Sequence, residues 1–212
     1  LQSGEILLLE NTRFLDVPNK LESNLNEEVA QKLASLGEMF VLDAFAVAHR
    51  NHTSVVGIPK YLPSCLGFLV EKEKNMLDKI IMKPERPFTV IMGGAKVDDK
   101  LKIINSLLPK CEHLLVSGGI ANSFLSALGL RTGESLKTEN PEIIKELQRL
   151  MLAFKEKFAF PLDAITTTTY NENPTMKNIN KIDANDIIKD IGIKTINKYS
   201  DIIKNSNTIF MN

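Results

Sequence analysis

The sequence predicts an α/β protein built on parallel β-sheet, and three observations carry that prediction. From Phe88 onward, short apolar runs alternate with helical stretches, the order that gives parallel strands joined by crossovers. Two of those runs, Phe88–Met92 and, with Ser117 between, Cys111–Val116, lead into a glycine pair and then a helical stretch. The first segment, Leu1 to about Leu66, reads as strand, helix, strand, a βαβ unit.

In that first segment Ile6–Leu9 and Met39–Leu42 are the strand signals. Between them Asn26–Leu36 reads as an amphipathic helix, with Val29, Ala30, Leu33 and Leu36 at helical spacing and Gly37 as its C-cap. Gly67–Met82 predicts a long helix; its charges, Glu71, Lys72, Glu73, Lys74, Asp78 and Lys79, read as a solvated face. The Lys83–Pro87 stretch, with two prolines, is a turn that ends it. Beyond the two strand–glycine units, Lys100–Leu108, Ile120–Leu128 and Glu142–Lys157 are the clearest helices. Thr166–Thr169 is β-prone, and the Asn-rich Asn171–Ile182 reads as a polar surface loop.

The chemistry concentrates at the glycine pairs. In Gly93-Gly94-Ala95-Lys96-Val97-Asp98-Asp99-Lys100 the glycines permit a sharp turn and close approach of a ligand. A helix start directs N–H groups outward, which suits an anion. Lys96 and Lys100 are spaced to share one helix face. The stretch is not a P-loop, because no Gly-Lys-Ser/Thr follows at the required spacing. It reads either as a phosphate cradle or as an ordinary βα turn with two solvated lysines. Ser117-Gly118-Gly119-Ile120 repeats the arrangement after the second strand, and ligands of open α/β sheets bind beyond such strand ends. Arg13 and Arg50 each follow a strand signal, where a planar guanidinium could grip phosphate oxygens in pairs; a plain surface position is the alternative. His49 and His52 find no third ligand at useful spacing, so a supporting role is expected.

Lys plus Arg equals Asp plus Glu, 26 each in 212 residues, which argues against nucleic acid or an acidic membrane surface as partner. Cys65 and Cys111 match neither a metal motif nor a disulfide framework, and a reducing cytoplasm follows. No apolar run reaches bilayer length.

Four ordered motifs, Leu8-Leu9-Glu10-Asn11-Thr12-Arg13-Phe14, Asp43-Ala44-Phe45-Ala46-Val47-Ala48-His49-Arg50, Gly93 to Lys100 and Gly118 to Leu125, together resemble phosphoglycerate kinase of a bacterial type. The similarity runs through nearly the whole chain. It implies doubly wound parallel sheets in two Rossmann-like domains joined by a long helix. Residues 1–66 would belong to an incomplete phosphoglycerate-binding domain, 67–86 to the bridge and 87–212 to an incomplete nucleotide-binding domain. It implies transfer of a phosphoryl group between 1,3-bisphosphoglycerate and ADP, giving 3-phosphoglycerate and ATP, with Mg2+. By the same resemblance Arg13 and Arg50 hold the phosphoglycerate and Lys96 acts on the transferred group. Gly94, Ala95, Lys96, Lys100, Gly118, Gly119 and Asn212 line the nucleotide site, and Asp99 lies near the metal. The chain departs from the family pattern at Ser117, at Ala46-Val47 and at Ile188-Lys189. The family's first strands and its late glycine-rich motif fall outside Leu1–Asn212, so no turnover is expected from these residues alone. The resemblance implies a monomeric whole enzyme, whereas uncovered strand edges here predict self-association. A noncatalytic nucleotide-binding remnant of the fold is the alternative.

Overall fold

The computed structural model describes residues 2–168 and 173–212. The chain divides into two compact units, Leu1–Asp78 and Lys79–Asn212.

In the first unit, Asn26 starts helix α1 (Glu27–Ala34) by accepting the Val29 N–H on its side chain at 2.9 Å. The helix ends at Ser35, short of Gly37. Its Ala30 packs against the single π-helical turn Thr53–Gly57, where Gly57 is required because a Cβ would come within 2.9 Å of the Ala30 Cβ. Strands β1 (Phe40–Leu42) and β2 (Ser64–Leu66) form a parallel pair. The strand expected over Ile6–Leu9 does not form. That run belongs to no sheet and its side chains are exposed, Leu8 by 93%. An apolar run becomes a strand only when a neighbour takes up its backbone N–H and C=O groups, and no described segment does so.

Helix α2 (Phe68–Met82) crosses the division between the units. Its N-terminus is capped from a distance: the Asp43 carboxylate accepts the N–H groups of Leu69 and Val70 at 2.7 and 3.1 Å. Gly67 makes room for that carboxylate, since a Cβ would sit 2.3 Å from its Cγ. Asp43 thus does structural work in the Asp43–Arg50 motif.

The second unit holds a four-stranded parallel sheet ordered β5-β4-β3-β9, from β3 (Phe88–Met92), β4 (His113–Val116), β5 (Phe158–Ala159) and β9 (Thr208–Met211). Helices α3 (Leu101–Leu107), α4 (Gly118–Ala127) and α5 (Pro141–Ala153) supply the larger core on one face, where Phe88, Val90, Met92, Leu114 and Val116 meet Ile104, Leu108, Ile120, Phe124, Leu147 and Leu150. On the other face Leu115 and Ala159 meet Tyr199 of α6 (Ile193–Lys204). Helices on both faces of a parallel sheet make the unit doubly wound, as expected.

One part of the second unit departs from the expectation of a wholly parallel architecture. Strands β6 (Asp163–Thr167), β7 (Thr175–Asn178) and β8 (Ile187–Ile191) form a separate antiparallel sheet ordered β7-β6-β8. The stretch read as a polar loop therefore contributes β7 and the short 3-10 turn Ile179–Lys181; Thr169, Asn171 and Glu172 lie outside the described residues. Polar side chains on an edge strand face water, so composition alone hides such a strand. Asp163 repeats the device of Asp43: its carboxylate accepts the N–H groups of Lys194 and Thr195 at 3.0 and 2.9 Å, over a glycine, Gly192, whose Cβ would lie 2.3 Å from the Asp163 Cγ.

Candidate functional site

The carboxyl ends of β3, β4 and β9 lie side by side, and the residues singled out at the two glycine pairs meet there. The Gly93 N–H donates to the Asn212 carbonyl at 2.9 Å, and the Ser117 N–H to the Met92 carbonyl at 3.0 Å. Gly94 has φ +117°, open only to glycine without strain. Its carbonyl accepts the Ile120 N–H at 3.3 Å. A Cβ on Gly118 would lie 3.1 Å from that carbonyl oxygen, and one on Gly119 only 2.2 Å from the Ala95 carbonyl oxygen. Gly119 is thus demanded by one turn packing on the other, and Gly118 by its left-handed backbone at φ +60° together with that close approach. Ser117 keeps an extended backbone with φ −142°, so a side chain there costs nothing in conformation.

Lys96 and Lys100 do not share a helix face. Lys96 lies in the turn, ahead of the 3-10 segment Asp98–Lys100, and α3 begins only at Leu101. The fully buried Val97 anchors the turn in the core between them, which displaces Lys96 from the helical register. The Lys100 amino group instead donates to the side-chain oxygen of Asn212. Lys96 is exposed and, with Ala95, Asp98 and Asp99, forms one wall of a groove of about 550 Å³.

Leu136–Asn140 line the rest of the groove, and no motif in the sequence marks them. Buried polar groups of α4 hold this segment in place. The Asn122 amide donates to the Leu136 carbonyl at 3.1 Å, and the Ser123 hydroxyl accepts the Thr138 N–H at 3.0 Å while donating to the Gly119 carbonyl at 2.8 Å. The legible signal was the pair of polar residues Asn122-Ser123 inside an otherwise apolar helix, since buried amides and hydroxyls must find partners.

Asp99 faces the same groove, and among the described residues no cluster of three or more metal-binding side chains forms. A magnesium ion needs few protein ligands when phosphates and waters complete its shell, and Asp98 and Asp99 present two carboxylates to this groove.

In the first unit Arg13 sits in the 3-10 turn Thr12–Asp16, not at a strand end, since Ile6–Leu9 forms no strand. Its guanidinium is 3.0 Å from the Asp16 carboxylate and donates to the Ser23 hydroxyl at 2.8 Å. The hydroxyl and N–H of Ser23, with Arg13 beside them, hold the Asp16 carboxyl below its ordinary range. Arg50 does follow β1, through the 3-10 turn Phe45–Val47, and is exposed. His49 is exposed, while His52 lies inward with Nδ1 3.7 Å from the Glu22 carboxylate; the supporting role expected of His52 fits that placement.

A doubly wound α/β unit with paired glycine turns, and a groove beside them lined by both lysines and carboxylates, defines the class of protein. Residues 1–212 match the family model described as phosphoglycerate kinase, and the chain belongs to that family. It is similar to the solved phosphoglycerate kinase of Coxiella burnetii at 33% identity and a TM-score of 0.76, covering 91% of this chain and 51% of that one. It is also similar to the phosphoglycerate kinase of Pyrococcus horikoshii OT3 at 28% identity and a TM-score of 0.79, covering 100% of this chain and 55% of that one. The chain thus spans about half the length of these solved structures.

Proposed function

We propose that this chain carries nucleotide- and phosphoglycerate-binding residues of a kinase that transfers a phosphoryl group reversibly between 1,3-bisphosphoglycerate and ADP. The observation that carries the reading is the convergence of Gly94, Ala95, Lys96, Lys100, Gly118, Gly119 and Asn212 at the carboxyl ends of three adjacent parallel strands. The α4 N-terminus and Lys100 offer positive potential to nucleotide phosphates. Lys96, exposed on the groove wall, would neutralise charge on the transferring group. Phosphoryl transfer asks for this kind of positioning and electrostatic work more than for covalent chemistry. A magnesium ion, when bound with the nucleotide, would shield the phosphate oxygens, with Asp99 as its protein ligand. Arg13 and Arg50 would hold the phosphoglycerate.

A second reading has its own support. Arg13 is already engaged by Asp16 and Ser23, which favours a nucleotide-binding remnant with a weak phosphoglycerate site. Calorimetric titration of the chain with ADP and with 3-phosphoglycerate separates the two. The kinase reading expects heat from both ligands, with Lys100→Ala reducing only the first and Arg50→Ala only the second. Heat from ADP alone establishes the remnant, and heat from neither overturns both readings. A cytoplasmic setting belongs to the proposal and is supported by two cysteines that form no disulfide. Among the described residues no helix is long and apolar enough to cross a membrane.

A further inference from the structure

Glu22 is a carboxylate only 1% exposed, and such a group persists in a protein interior only where hydrogen bonds and charges compensate it. Its Oε1 accepts the Ser54 hydroxyl at 2.5 Å, and its Oε2 accepts the Ser54 N–H at 3.0 Å. The Thr12 hydroxyl approaches Oε1 at 3.5 Å and His52 Nδ1 at 3.7 Å. The main chain of Glu22 is fastened as well: its N–H donates to the Asp16 carboxylate at 3.0 Å, and its carbonyl accepts the Thr53 N–H at 2.8 Å.

These partners come from two separate stretches. Thr12 immediately precedes Arg13, and Asp16, which holds the Arg13 guanidinium, is bonded to the Glu22 backbone. His52, Thr53 and Ser54 follow directly on Arg50 and Asn51. One buried side chain therefore touches both arginine-bearing segments, which are far apart in sequence.

We propose that Glu22 is a positioning residue: its carboxylate ties the Thr12–Asp16 turn to the His52–Ser54 segment and so sets where Arg13 and Arg50 are presented to one phosphorylated ligand. This rests on the reading of those two arginines as the phosphoglycerate-binding pair. The carboxylate has the right form for the task, because it is acceptor-only and has lone pairs for donors arriving from two directions. The His52 imidazole lies beside the same carboxylate, with Nδ1 3.7 Å from Oε1. Glutamine keeps the size of the side chain but turns an NH2 group towards those donors.

The test uses the 212-residue chain, labelled with 15N, as wild type, Glu22→Gln and Glu22→Asp. Three signals are read: the Nε–H resonances of Arg13 and of Arg50, and the imidazole nitrogens of His52. Binding of 3-phosphoglycerate is measured in parallel by calorimetry. Glu22→Gln is expected to move both arginine signals and the His52 Nδ1 signal, and to weaken 3-phosphoglycerate by about tenfold or more, the scale of a small misplacement of binding groups. Glu22→Asp recovers part of the affinity. The β3 and α4 amides, which lie in the other unit, stay unmoved. Where Glu22→Gln fails to fold, Thr12→Val and Ser54→Ala each cut one side of the tie, and each is expected to weaken the same ligand. Movement of one arginine signal without the other, or full retention of affinity when the tie is cut, overturns the proposal. Absence of 3-phosphoglycerate heat in the wild type overturns the reading of the arginines; the arginine and histidine signals then still decide whether Glu22 couples the two segments.

Discussion

At the scale of single residues, the lysines at the glycine turn are held apart where a shared helix face would have put them together. Lys100 is fixed on Asn212, whereas Lys96 stands free of the helix on the groove wall. On the proposed reading, and in a full-length enzyme that carries these residues, Lys96→Ala is expected to lower phosphoryl transfer by about a hundredfold or more in a coupled assay, with little change in ADP affinity, because a group acting on developing charge contributes in the transition state. Lys100→Ala is expected to weaken ADP about tenfold, the value of a charge-assisted bond. The glycines carry a different expectation. Gly119→Ala would place a methyl group 2.2 Å from the Ala95 carbonyl oxygen, too close for any relaxed contact. Overpacking of this kind costs about 1–3 kcal/mol, readable as a lower denaturant midpoint even without nucleotide. A midpoint unchanged by the methyl group would mean that the turns separate freely and that the glycines serve the ligand instead.

At the scale of elements, the recurrent device is a helix whose first N–H groups are taken up by an aspartate from a distant strand end, over a glycine that leaves room for it. Asp43 with Gly67 does this for α2, and Asp163 with Gly192 does it for α6. Burial works against the charge on Asp163, but the Thr195 hydroxyl and the N–H groups of Lys194 and Thr195 outweigh it and hold the carboxyl below its ordinary value of 3.8. The sign follows from linkage. A carboxyl depressed in the folded state adds stability above its unfolded pKa and loses it as pH falls through the folded value. Asp163→Asn is therefore expected to cost about 1–2 kcal/mol at neutral pH, the usual worth of a cap. The difference from wild type should shrink as pH falls below the ordinary carboxyl value towards the lower folded one, where the wild-type carboxyl takes up its proton. Thermal melts of both proteins at neutral and acid pH check it; a gap that widened in acid would contradict the cap.

At the scale of the whole molecule, the two units differ in how much apolar surface they bury. In Leu1–Asp78 the buried apolar side chains are Ala30, Ala34, Val55, Ile58 and Val70, while Ile6, Leu8, Phe14 and Val17 face solvent. In Lys79–Asn212 a continuous cluster runs from Phe88 to Met151 on one face of a four-stranded sheet. Local stability follows buried contacts and protected backbone bonds. Hydrogen exchange is expected to be slowest in β3, β4 and α4 and faster by orders of magnitude in β1 and β2, so unfolding should not follow a single two-state transition. Equal protection across the two units would refute this. The exposed apolar side chains of the first unit also lead us to expect self-association that grows with concentration, visible as a rising mass in light scattering.

The sequence by itself determined what depends on neighbours along the chain. The strands Phe88–Met92 and His113–Val116, the helices that follow them and the glycine turns between were legible because periodicity and glycine pairs are local signals. The set of residues meeting at the strand ends, Asn212 among them, was legible only through the family resemblance that the ordered motifs carry. Tertiary structure alone decided the rest. Ile6–Leu9 is strand-like in composition yet lacks a ladder partner, and Thr175–Asn178 is polar yet gains one from β6. Only packing reveals that Gly118 and Gly119 make way for the facing turn, that Leu136–Asn140 closes the groove, and that Glu22 joins segments distant in sequence. Each of these depends on which backbone or side chain arrives from elsewhere in the chain, and a hydrogen bond or a steric limit exists only once that partner is in place.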